Sequence, residues 1–345
     1  MIFGIDSHKR TLCICAVDEL GRERAVSEFA NDPPGHRALT AWAAAVEPGE
    51  RCFGIEGTGH HAYALARALL EAGEPVLEVP PALADRERRR SRRGKSDPVD
   101  ALAIARVAAR ERDGLEPLRH DPAARDLKLV SDYRQQLVAE RTRTANRLHA
   151  DLLQLAPGYE RRVSDLGHGS LAAARRLLRG ERSLQGELAR RRLAALGRLD
   201  REITECERRL RELLRACGTS LTDLPGVGTI VAARIIGEVR DVRRFATRDR
   251  FARANGTAPI PASSGERVRH RLSRGGNRRL NWAIHLMALT QARIDPRARA
   301  HLARRREEGR TGREAIRALK RHLSDVIYRQ LVADARRLQE VAALT

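Results

Sequence analysis

Apolar and polar positions follow two different periods along this chain, and the change of period divides it. Up to about Arg112, short runs alternate or are wholly apolar: "IFGID", "TLCICAVD", "RERAVSEFA", "RCFGIEG" and "PVLEVP" predict five strands. Between and after them, "GHRALTAWAAAV", "HAYALARALLEAG" and the stretch following Pro98 carry apolar residues at helical spacing. The first part of the chain is therefore predicted to be α/β, with three antiparallel strands followed by strand-helix-strand.

From Asp121 to Cys217 the period is helical throughout. In "LKLVSDYRQQLVAERTRTANRLHADLLQL" and "RRLAALGRLDREITECERRLRELL" the apolar residues sit in a mostly charged background. Such helices are too polar for a private core and are expected to pair with each other or with a second subunit, as a coiled coil. A monomeric helical spacer is the alternative. The interruption "APGYERRVSDLGHGS" predicts a turn between two arms. Beyond it, "LTDLPGVGTIVAARIIGEV" has the form helix, Gly-x-Gly turn, helix. Gly226 and Gly228 could there expose backbone amides to a phosphate, as in a helix-hairpin-helix, or simply make a tight turn. A basic helical tail follows. Three regions result: 1–120, α/β; 121–217, helical; 218–345, mostly helical.

Charge narrows the partner. Lys+Arg total 66 against 45 Asp+Glu, for a formal net charge of +21, and all but four of the cations are arginine. Guanidinium forks suit bidentate phosphate contacts, so a polyanion is expected, although a GC-rich genome also favours arginine. Aromatics at 3% argue against base-stacking platforms and for contacts to backbone and helix shape. Five cysteines without a CxxC pair predict neither a disulfide framework nor a structural zinc site, and Cys13 and Cys15 are expected as buried thiols on one strand. No apolar run has the length of a signal core or membrane span, so a cytoplasmic protein without a membrane partner is expected.

The densest cationic segment, "RERRRSRRGKSDPVDALAIAR", ends against Asp97 and Asp100. Asp97-Pro98 is a good helix start, with aspartate at the N-cap and proline behind it, and on that reading the acids merely cap a helix. Asp6, however, closes "IFGID", and Glu56 closes "CFGIE" ahead of Gly57 and Gly59. In a ribonuclease H-like sheet the first strand is central with the fourth beside it, so these acids would converge with Asp97 and Asp100, which share a helical face. Four crowded carboxylates call for divalent cations, and hard oxygen donors favour Mg2+ or Mn2+. Arg92, Arg93 and Lys95 would then hold the flanking nucleic-acid backbone. His60 and His61 are better read as solvated or packed residues than as ligands.

Taken together, "GIDSHK", "GIEGTG", "RRGKSDPVDA", "LPGVG" and "NGTAPIPASSGERVRHRLSRGGNRRLNWAI" resemble the DEDD transposases of the insertion-sequence-110 group, relatives of the Piv-type invertases, over nearly the whole chain. The resemblance implies that Asp6, Glu56, Asp97 and Asp100 are the metal-binding tetrad of a RuvC-like domain. It implies that the helical middle is a dimerising coiled coil and the C-terminal part a transposase domain with a nucleophilic serine. The serine falls in Ala262-Ser263-Ser264-Gly265, with Ser264, directly before glycine, favoured over Ser263; an ST-turn is the plain alternative. Ser273-Arg274-Gly275-Gly276-Asn277 meets the family's glycine-rich turn. In "TAPIPASSGERVRH" the basic residues come later than in a simple lysine-rich form of the motif, which leaves phosphate contacts by Arg267, Arg269 and Arg271 as expectations only; Arg274 is a further expected contact. The resemblance further implies a homodimer or higher oligomer, donor and target double-stranded DNA, and a structured non-coding bridge RNA as guide. Two other functions compete: a RuvC-like structure-selective nuclease using water and metals, and a non-enzymatic architectural nucleic-acid binder.

Overall fold

Strand β1 (Ile2–Ser7) shows how the first unit is built. Alternation sends Phe3 and Ile5 into one apolar layer, while Ile2 and Gly4 face the other. Chain order continues with β2 (Thr11–Val17), β3 (Glu23–Ala30), α1 (Pro33–Val46), β4 (Cys52–Glu56), α2 (Tyr63–Glu71), β5 (Val76–Val79), α3 (Pro81–Arg90), α4 (Asp97–Arg110) and a two-residue β6 (Glu116–Pro117). The sheet order is β3-β2-β1-β4-β5-β6. Antiparallel pairing joins β1 to β2, β2 to β3 and β5 to β6; β1 is parallel to β4, and β4 to β5. The first strand thus lies between the second and the fourth, as the expected arrangement requires.

This computed structural model describes all residues except 91–93, 95, 120, 164–165, 168–169, 262–269, 272–275 and 345. The chain forms two units, Met1–Asp121 with Arg243–Thr247, and Pro122–Val242 with Arg248–Thr345. In the first, α1 and α2 supply Leu39, Leu65 and Leu69 to the layer around the stacked Phe3 and Phe53 rings, 5.1 Å apart. Full burial of each such side chain contributes about 1.5–3 kcal/mol. On the opposite face α4 lies directly on the strands. "FGID" and "FGIE" run in register, Gly4 beside Gly54, and both glycines face that helix. A Cβ on Gly4 would stand 2.1 Å from the Ala105 amide nitrogen, and one on Gly54 would stand 2.6 Å from Ala108 Cβ. Without them α4 could not approach so closely. Cys13 and Cys15 are buried in the same layer, as expected.

Two local expectations are corrected, and one helix is present that periodicity did not announce. Ser96, not Asp97, occupies the N-cap of α4, and Asp97 is the first helical residue; its carboxylate meets a histidine instead of the helix amides. The arginine-rich segment Pro81–Arg90 is a helix, held by a buried Ala84 and a partly buried Leu83, too few apolar residues to show a period. In "LTDLPGVGTIV" the element before the turn is a single 3-10 turn, Leu221–Asp223, rather than a helix.

The second unit is helical apart from a two-residue strand pair. It runs α5 (Pro122–Leu155), α6 (Leu171–Leu177), α7 (Leu184–Ala216), α8 (Thr229–Val239), α9 (Arg248–Ala254), β7 (Ile260–Pro261), β8 (His270–Arg271), α10 (Arg278–Ile294), α11 (Pro296–Glu307) and α12 (Gly312–Leu344). The two long helices, α5 and α7, pack antiparallel on each other. Arg134 pairs with Glu207 at 2.6 Å, Arg141 with Asp200 at 2.5 Å, and Gln185 donates to Gln154 at 2.7 Å. Leu137, Leu199, Ile203 and Cys206 fill the seam. Among the described residues no helix is long and apolar enough to cross a membrane.

Candidate active site

Asp6 and Glu56 stand at the C-terminal ends of adjacent parallel strands, one position beyond the paired Ile5 and Ile55. Asp97 and Asp100 lie in the first turn of α4. Because α4 rests on Gly4 and Gly54, these acids are brought to the strand ends. The effect registers in Asp6, whose carboxyl is held above the usual carboxylate range. Burial raises it most, His8 pulls it back, and the negative charges of Asp100, Asp97 and Glu56 push it further up. All four acids are therefore electrostatic neighbours. Two of them also influence the Cys13 thiol, opposite Asp6 on β2, which is pushed up to about 12 by burial first and then by Asp6, Asp97 and Glu28.

Two basic residues that sequence reasoning did not assign to the site complete it. His8 Nε2 lies 3.2 Å from Asp6 Oδ2 and 3.3 Å from Asp97 Oδ1. One ligand atom from each of Asp6, His8 and Asp97 falls within 4.8 Å of the others, close enough to hold one metal ion. Arg88 donates from Nη1 to Glu56 Oε2 at 3.3 Å, and its Nε is 3.5 Å from Asp100 Oδ1. His8 had a signal in the sequence, two residues beyond Asp6 on "DSHK"; Arg88 was hidden among equivalent arginines. His60 and His61, excluded on sequence grounds, are exposed in the turn after Gly57, whose φ of +71° suits glycine.

Two oxygens in the cluster lack hydrogen bonds. Asp6 Oδ2 and Asp100 Oδ1 are buried and have no hydrogen-bond partner among the described residues, despite the ion-pair distances to His8 and Arg88. Buried carboxylate oxygens left in this state cost stability unless something else satisfies them. Hard, negatively charged, incompletely satisfied oxygens match the requirements of Mg2+ or Mn2+.

The remaining candidates are distributed differently. Arg92, Arg93, Lys95, Ser263, Ser264, Arg267, Arg269 and Arg274 lie outside the described residues. Arg271 is in β8, its backbone opposite Ile260. Gly226 makes the turn before α8 with φ of +79°, and Gly228 is the N-cap of that helix. The turn is braced on α10, where Gln291 Nε2 donates to the Pro225 carbonyl at 2.7 Å. Residues flanking the serine segment are also fixed. A Cβ on Gly276 would be 2.3 Å from the Gly256 amide, and Asn277 caps α10 while donating to Glu238 Oε2 at 2.7 Å.

Comparison with known proteins gives the family. The family model DEDD_Tnp_IS110, described as a transposase, matches residues 3–157, and one described as the transposase IS116/IS110/IS902 family matches residues 218–303. The chain is similar to the insertion element IS116 uncharacterized 44.8 kDa protein of Streptomyces clavuligerus, at 28% identity over 95% of this chain and 94% of that protein. It is equally similar, over the same shares, to the insertion element IS900 uncharacterized 42 kDa protein of Mycobacterium paratuberculosis. A mini-circle putative transposase for IS117 from Streptomyces coelicolor is 26% identical over 89% of this chain and 87% of its own length.

Proposed function

Because the chain belongs to the IS116/IS110/IS902 family of transposases, whose activity is DNA cleavage and rejoining, we propose that it carries out that recombination with Asp6, Glu56, Asp97 and Asp100 as a metal-holding tetrad and Ser264 as nucleophile. The observation that carries the reading is the convergence of four carboxylates, two with buried oxygens that lack hydrogen bonds. Mg2+ or Mn2+ bound there would supply Lewis-acid stabilisation of charge developing on phosphate oxygens.

The chain's own residues supply the rest. Arg92, Arg93 and Lys95, continuing from the arginines at the end of α3, neutralise and hold the DNA backbone beside the acids. Gly226 and Gly228 offer backbone amides to a further phosphate. Ser264 is the nucleophile, with Ser263 as its rival: its hydroxyl gives up a proton, the oxygen attacks the scissile phosphorus, and one DNA strand departs as an alcohol. A phosphodiester to serine conserves the bond until a second strand end attacks it, so rejoining needs no outside energy. Arg267, Arg269, Arg271 and Arg274 hold the exchanged backbones. A structured RNA that pairs with donor and target DNA is the guide that the family resemblance implies, and the net charge of +21 fits a polyanion without choosing between RNA and DNA. A homodimer would let a serine of one subunit serve the tetrad of another.

Strand cleavage in Mg2+, with trapping of the protein-DNA adduct, tests this. Ser264→Ala should bind nucleic acid but form no adduct. Adduct at the wild-type level moves the role to Ser263, and its persistence when both serines are replaced removes serine catalysis. Cleavage by the double mutant without any adduct would favour the structure-selective nuclease. Recombination that survives RNase treatment and reconstitution without RNA would remove the guide while leaving the DNA chemistry.

A further inference from the structure

Arg88 occupies ground that the tetrad reading assigns to a cation. From α3 it reaches Glu56 at 3.3 Å and Asp100 at 3.5 Å, but only the first contact has hydrogen-bond geometry. Asp100 Oδ1 stays without a hydrogen bond among the described residues although the guanidinium lies beside it. The arginine thus satisfies an oxygen of Glu56 but only balances charge at Asp100. Structural arginines elsewhere in the chain do both: Arg234 donates to Asp132 at 2.6 Å and to Gln135 at 2.8 Å.

The same guanidinium has a third acid within reach. Its Nη2 is 3.8 Å from Asp85 Oδ1, one turn back on α3, a side chain about half exposed. Guanidinium remains charged at every ordinary pH, so it cannot yield to a second cation by losing a proton; it can yield only by moving. A dication facing Glu56 and Asp100 would be repelled by a guanidinium at their oxygens, whereas Asp85, whose Oδ2 pairs with Arg89 at 2.9 Å, offers the displaced group its Oδ1 within side-chain reach.

We propose that Arg88 is a resident counter-cation that competes with divalent metal for Glu56 and Asp100 and withdraws toward Asp85 when metal is held. The inference rests on the tetrad being the metal centre. Its consequence is that Arg88 sets the metal concentration at which the site loads, and keeps the metal-free acids from repelling one another.

The test is Mn2+ titration calorimetry on the full chain, with thermal melting in chelator and in Mn2+, for wild type, Arg88→Gln and Arg88→Lys. Arg88→Gln should bind Mn2+ about tenfold more tightly, within the usual range for coupling between competing ligands. Arg88→Lys, whose single ammonium cannot span both acids, should fall between. In chelator Arg88→Gln should melt below wild type, and Mn2+ should raise its melting temperature by more than it raises that of wild type. A merely structural arginine would lower melting without Mn2+-specific recovery. If Arg88→Gln does not fold, Arg88→Lys carries the affinity comparison. Glu56→Gln and Asp100→Asn separate the two failures. Should they keep full Mn2+ affinity, the metal-centre reading falls and this inference with it. Should they lose Mn2+ while the folded Arg88 variants bind no more tightly than wild type, only the role of Arg88 is overturned.

Discussion

Two clusters of charge, one in each unit, are made from the same residue types and solve opposite problems. In the helical unit Lys128, Asp132, Arg234, Glu238 and Arg279 interlock at distances down to 2.6 Å, and among the described residues every buried oxygen of Asp132 and Glu238 has a hydrogen bond, although Arg234 Nε does not. Burial alone would raise Asp132, yet Lys128, Arg279 and Arg234 together hold it below the usual carboxylate range. In the α/β unit burial also raises Asp6, but there the neighbours are mostly acids, and the carboxyl ends above that range. A set of charges whose carboxylates are all paired by its own cations holds helices together. A set left short of positive charge, with oxygens unsatisfied, is arranged for a cation from outside.

The largest way to break the comparison is at the acids. Asp6→Asn, Glu56→Gln and Asp100→Asn should each lower strand cleavage in Mg2+ by on the order of 100-fold or more, at or beyond the upper end of the effect of losing an outer-shell partner of a metal. Metal-free melting should stay level or rise, since each change removes repulsion. Full activity in any two of these variants would remove the tetrad. In the helical unit the same kind of change acts on stability. Asp132→Ala strands Arg234, buried at 4% exposure, and should cost about 3 kcal/mol by denaturant unfolding. A cost near zero would mean that the network is decorative.

Smaller still is a change that leaves every acid in place. Gly4→Ala puts a Cβ 2.1 Å from the Ala105 amide and 2.3 Å from the Ala101 carbonyl, so α4 must move away from the sheet. Overpacking of this kind costs about 1–3 kcal/mol, and it should also lower Mn2+ affinity because Asp97 and Asp100 ride on that helix. Unchanged affinity would show that the acids do not depend on this contact.

The finest test is pH. Asp6 has a raised native pKa, so the folded protein binds its proton more readily than the unfolded chain does. In chelator, its contribution to stability should fall as pH rises from the ordinary carboxylate value through the native one, and Asp6→Asn should flatten that slope. Asp132, with its native value lowered, must do the reverse. Its stabilisation is present above the ordinary value and is lost as pH falls through the native one. Parallel slopes for Asp6→Asn and Asp132→Asn would erase the distinction between the clusters.

The five long strands of the sheet were legible because alternation is a local property, and "FGID" and "FGIE" mark two strand ends with acids. Helix α3 was not, because "DRERRR" has no apolar period, and β6 is only two residues long. The paired-charge network of the helical unit was equally hidden. Its members come from three helices, α5, α8 and α10, and nothing in the spacing of Lys128, Asp132, Arg234 and Arg279 announces that they meet.

By itself, the sequence determined the change from an α/β unit to long polar helices, the polyanionic partner class, and the four acids as candidates. Each follows from periodicity, composition or a motif read within a few residues. Only the tertiary structure decided that Asp97 faces His8 instead of capping its helix, that Arg88 reaches the cluster while Arg89 pairs outward with Asp85, and that the acids keep unsatisfied oxygens. Those outcomes depend on distances between β1, β4, α3 and α4, whose residues are tens of positions apart. What sets the distances is packing, above all the absence of side chains at Gly4 and Gly54 where α4 meets the sheet.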